Sequence, residues 1–167
     1  MNMDIRTLAI VLGITDILQV IAVFFQYLLN KTYQGIGWWA LGFASVAGGS
    51  LLLSLRDAIS IALISIILSN ALLVLGAIFI YVGIMRFLDK KENRWIVLSI
   101  FAVFLASFLY FTYSNDDITI RTVIGSAVIA ILSFITAQGL FVNKTRSINA
   151  SACFLSAICL AHGCFFT

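Results

Sequence analysis

Six long apolar runs, separated by short polar gaps, account for nearly the whole chain. They cover residues 7–29, 37–55, 60–87, 95–113, 118–142 and 148–166. A bilayer core about 30 Å thick takes about 20 helical residues to cross, and each run is of that order. Polar and apolar residues do not alternate along them, as a barrel strand would require. A backbone amide left unpaired in lipid has no water to bond, so helices are the remaining solution. The pattern therefore predicts an all-α, polytopic membrane bundle of six transmembrane helices with short loops, built as one membrane domain over residues 1–167.

The gaps cover residues 30–36, 56–59, 88–94, 114–117 and 143–147. Connections this short make neighbouring helices antiparallel and adjacent. Trp38 and Trp39 open the second run, Trp95 opens the fourth, and Tyr110 and Tyr113 close it. Such rings suit the water–lipid boundary. Asn115 or Asp116 is placed to cap the fifth helix. The third run is long enough to tilt or to extend past the lipid. The chain has no proline, so no helix need be kinked by one.

Composition agrees with this pattern. Hydrophobic residues make up 62% and charged residues 10%, against about 25% charged in a soluble domain. Too few charges remain to wet the surface of a globule. The first residues are not a secretory leader, because Asp4 offsets Arg6 and no small-residue cleavage site follows. No basic, aromatic-interleaved patch points to nucleic acid.

The placement of charge predicts orientation. Gaps one, three and five hold Lys31, then Arg86, Lys90, Lys91 and Arg94, then Lys144 and Arg146, while Arg6, Arg56 and Arg121 lie on the other side. The positive-inside rule puts the larger set in the cytoplasm, with the N-terminus and Thr167 outside. The Asn-X-Ser/Thr triplets at Asn30, Asn143 and Asn149 then face the cytoplasm and are read as chance.

Polar groups at membrane depth are the place to look for chemistry. Asp16 lies near the middle of the first run, with Gln19 and Gln26 within about 80° of it on a helical wheel, and Asn70 lies near the middle of the third. Two readings stand. Asp16, Gln19 and Asn70 form a proton- or ligand-responsive site, or they supply an interhelical hydrogen bond of about 0.6 kcal/mol. His162 is the one histidine and a candidate pH sensor; Gln138 reads as interfacial. Cys153, Cys159 and Cys164 match no metal-ligand spacing and read as small apolar fillers. Small residues on the second helix, among them Gly42, Gly48 and Gly49, allow close helix approach, as do Gly76 and Gly83 on the third. Nothing resembles a nucleophile triad, a metal set or a phosphate loop. The expectation is no cofactor, no metal and no enzyme activity in the chain as it stands.

Several segments in order carry a family resemblance. They are Gly37-Trp38-Trp39-Ala40-Leu41-Gly42-Phe43, then Ser69-Asn70-Ala71-Leu72-Leu73-Val74-Leu75-Gly76, then Gly83-Ile84-Met85-Arg86-Phe87-Leu88, then Tyr110-Phe111-Thr112-Tyr113 and Ile120-Arg121. This order resembles the N-terminal membrane region of bacterial GGDEF-type diguanylate cyclases and related sensor kinases. The resemblance implies a sensory or anchor region in the bacterial inner membrane, dimeric, with an unidentified ligand. It also implies a cytoplasmic output domain making cyclic di-GMP from two GTP with Mg²⁺. The chain contains no GGDEF motif, and the orientation above leaves Thr167 outside. The expectation is a chain truncated before a seventh helix and an output domain. A small oligomeric transporter or channel is the alternative, and a structural or assembly subunit the third reading.

Overall fold

A computed structural model describes residues 5–29, 34–55, 63–143 and 149–165. They are helical almost throughout, and among them there is no strand. The helices are α1 (Ile5–Leu29), α2 (Ile36–Ser54), α3 (Ser69–Phe87), α4 (Arg94–Tyr113), α5 (Ile118–Asn143) and α6 (Asn149–Phe165). A π-helical turn, Leu63–Leu68, leads directly into α3. Each helix falls on one of the apolar runs, and the third run is divided between the π turn and α3.

Among the described residues, four helical stretches are long and apolar enough to cross a membrane: Ile36–Ser54, Leu63–Phe87, Arg94–Tyr113 and Ile118–Val142. The apolar stretches described in the terminal helices, Gly13–Leu29 and Ala152–Ala161, are shorter. The outward faces fit a membrane protein. Leu18, Phe25, Leu98, Val103 and Phe154 are each more than half exposed, an arrangement that water penalises and lipid tails accept.

The chain divides into two compact units, Met1–Ile80 and Tyr81–Thr167. In the first, α1 packs on α2, and α2 packs on the π turn. Among its described residues, Ile36, Ala47, Ile67, Ala71, Val74 and Ile78 are buried and apolar, and the Trp38 and Phe79 rings pack 5.6 Å apart. In the second, α5 packs on both α4 and α6, around Phe104, Phe108, Ala130, Leu132 and Ala137. Phe104 and Phe108 sit one turn apart on α4 with ring centroids 5.2 Å apart.

Helix ends follow local chemistry. The Asn93 side chain accepts from the Ile96 amide at 3.3 Å and starts α4. Asp117, rather than Asn115 or Asp116, caps α5: its Oδ1 accepts from the Ile120 amide at 3.1 Å. Asp116 is committed elsewhere, to Arg121 at 2.8 Å. At the end of α3 the Lys90 amide donates to the Met85 carbonyl and the Asp89 amide to that of Arg86, the paired bonds of a Schellman cap. Asp89 takes the left-handed position with φ 55°, where a glycine is usual and an aspartate is tolerated.

Candidate functional site

The first group of interest surrounds the π turn. A π-helix places one more residue in each turn than an α-helix. Counting along the backbone, the change from i→i+5 to i→i+4 bonding leaves one carbonyl without an amide donor. In lipid such a carbonyl must find another partner. Ser69, fully buried, donates its hydroxyl to the Ser65 carbonyl at 2.7 Å and to that of Ile66 at 3.0 Å. The Asn70 amide donates to the Ile66 carbonyl at 2.7 Å. These two side chains close the junction. The turn distorts the third helix without any proline, as an inserted residue does.

The same stretch lies against α2 at close range. A methyl built at Gly49 would come 2.8 Å from the Ser69 carbonyl oxygen, and one at Gly42 would come 3.0 Å from the Gly76 carbonyl oxygen. Seven residues forward on α2 thus correspond to seven back on α3, an antiparallel pairing in heptad register. Small residues at these positions let the two backbones approach, as the sequence predicts.

Of the predicted polar site, Asn70 is half-buried and bonds its own helix. Asp16 is half-buried and Gln19 exposed on α1. Among the described residues no hydrogen bond joins either of them to Asn70. The side chain of His162 lies outside the described set, as do Lys31, Lys144 and Arg146. Gln138 is exposed on α5. Cys153 and Cys159 are half-buried and Cys164 is exposed, none of them in a disulfide. No group of three metal-ligating side chains occurs among the described residues.

Compared with known proteins, the chain matches no family model, no curated protein and no solved structure.

A second group occupies the α3–α4 turn. Glu92 turns back between two arginines: its Oε1 accepts from Arg86 at 3.0 Å and from Arg94 at 3.4 Å. The carboxylate side chain is only 9% exposed, while that of Arg94 is 81% exposed. Tyr81, buried five residues before Arg86 on α3, lies near Glu92 and the Asn93 backbone. Burial pushes the Glu92 carboxyl upward, but the hydrogen bonds and charge of Arg86, with Arg94, more than offset it. The group is held below its ordinary range. Lys90 and Lys91 are exposed and have no ion-pair partner among the described residues.

The sign of the linkage follows. A carboxyl with a lowered folded-state pKa stabilises above the ordinary carboxylate range and loses that contribution as pH falls through the folded value. Thermal unfolding in detergent should therefore show stability falling from about pH 5 to about pH 3, with Glu92→Gln flattening the slope. An unchanged slope in the variant would remove Glu92 from the account.

The third group is the ion pair at the start of α5. Arg121 is buried and bonds Asp116, which is largely exposed. A buried guanidinium tied to an aqueous carboxylate fixes the α4–α5 turn by a charge-assisted bond. The sequence shows these charges but not their pairing.

Proposed function

We propose that this chain is a membrane-embedded sensory or anchor module of a signal-transduction protein. It is of the kind that precedes the output domain of GGDEF-type diguanylate cyclases. In this reading six helices cross the bacterial inner membrane, the α3–α4 turn faces the cytoplasm, and the module works as a homodimer.

What supports it most is where the intramembrane hydroxyls and Asn70 send their hydrogen bonds. Ser45, Ser69, Asn70, Thr136 and Ser156 all donate to carbonyls three or four residues back on their own helices. Side chains committed in this way hold helix geometry rather than line a wet path. The π turn adds an element with two windings. Rewinding it to α would rotate one side of the third helix by about 100° relative to the other. A stimulus drives such a change only if it binds the two states differently, and Asp16 and Gln19 on α1 are the groups we assign to it, with Asn70 holding the π turn.

Two measurements test the reading. An antibody against residues 88–94 should detect a native protein well above 18.3 kDa; a band at that mass would remove the output domain. Proteoliposomes should show no solute or ion flux; flux abolished by Asp16→Asn would transfer the assignment to a transporter.

A further inference from the structure

We propose that the α3–α4 turn is a binding site for the phosphate headgroup of anionic phospholipids. This rests on insertion of the chain in a bilayer, and not on the sensory reading. The turn joins two helical stretches able to cross a membrane, Leu63–Phe87 and Arg94–Tyr113, so it lies at headgroup depth. Trp95, 79% exposed at the first turn of α4, is the kind of ring that sits at that depth.

Four cations and two anions lie within residues 86–94: Arg86, Lys90, Lys91 and Arg94 against Asp89 and Glu92, a formal +2. Their arrangement matters more than the sum. Glu92 is tucked inward and shared between Arg86 and Arg94, so it does not present its charge outward. The Schellman cap at Asp89 ends α3 abruptly and places Lys90 and Lys91 side by side on the exposed turn. Lys90, Lys91 and the open guanidinium of Arg94 are then the outward-facing charges, opposed by Asp89 alone. Glu92 acts as a positioning residue that keeps the two arginines together.

A cluster of this kind beside a membrane helix attracts anionic lipid, with each Lys or Arg worth about 1 kcal/mol near such a surface, or about fivefold in affinity. A zwitterionic headgroup offers no net charge to this patch and gains far less.

The test uses the full chain. Alkaline carbonate extraction first establishes whether it is embedded: a chain released by carbonate overturns this proposal and the membrane reading together. The embedded protein is then purified in a mild detergent with equal phosphatidylglycerol and phosphatidylcholine, and the retained lipids are counted by native mass spectrometry. The expected result is phosphatidylglycerol retained over phosphatidylcholine by about 25-fold or more, with that preference falling about 25-fold for K90Q/K91Q. Both lysines are exposed, so the double variant keeps the fold. Equal retention of the two lipids, or an unchanged preference in K90Q/K91Q, overturns the site while leaving the membrane reading intact. Displacement of the lipid by millimolar inorganic phosphate would mean a free-anion site and also overturns it.

Discussion

Replacing Gly76 with valine should destabilise the first unit by about 3 kcal/mol, the upper part of the usual range for overpacking. A methyl at this position would meet the Val46 side chain at 2.5 Å and the Gly42 carbonyl oxygen at 2.9 Å. The valine can change rotamer; the carbonyl belongs to the α2 backbone and can retreat only if the helices separate. Separation would also loosen the Gly49–Ser69 approach seven residues away, because both contacts share one antiparallel register. Gly125 supplies the control. Beyond the local backbone of α5, no atom lies within 4 Å of a methyl built there, so Gly125→Ala adds helix propensity without a clash and should be neutral or stabilising by up to about 1 kcal/mol. Unfolding in mixed detergent micelles, read by helical ellipticity against denaturing detergent, measures both. Equal behaviour of the two variants would show that the α2–α3 contact is looser than described.

Ser69→Ala should cost about 1–1.5 kcal/mol, because its buried hydroxyl serves two carbonyls at the π–α junction. Other hydroxyls in these helices also bond backward, Ser45 to Leu41 and Thr122 to Ile118 among them. In a regular α-helix those carbonyls already receive a backbone amide, so Ser45→Ala should change stability by less than about 0.5 kcal/mol. At the π–α junction Ser69 reaches two carbonyls, that of Ser65 at 2.7 Å and that of Ile66 at 3.0 Å. Asn70 serves Ile66 beside it, so the double variant S69A/N70A should exceed Ser69→Ala. If the turn rewinds to α instead, stability is retained and the phase of the third helix changes. Cysteine accessibility to a membrane-confined reagent at Leu63 and Leu68, both exposed, distinguishes the outcomes. Ser69→Ala with neither loss nor rewinding would remove the structural role assigned to Ser69.

Both predictions concern features that lie inside one apolar run. Hydropathy is nearly uniform around the third helix, so one extra residue in a turn moves no polar group into lipid and leaves no trace in the pattern. The serine and asparagine that accompany the π turn were visible, but Asn70 was read for what it offers across helices. In the fold it serves the backbone four residues away. The caps show the same division. That a short-chain polar residue would start α5 was legible in the sequence around residue 116. The choice of Asp117 over Asp116 depended on Arg121, whose side chain folds back to take the neighbouring carboxylate. In the α3–α4 turn the basic character was equally plain, whereas the shielding of Glu92 between two arginines required the turn to close.

By itself the sequence determined the all-helical class of the described residues, because long apolar runs leave a backbone in lipid no other way to satisfy its amides. Which residues touch was decided only by the tertiary structure. The pairing of Gly42 with Gly76 and Gly49 with Ser69, the π turn, and the sharing of Glu92 all depend on the rotational phase of helices that are apolar on every side. That phase is set by packing contacts, which hydropathy does not encode.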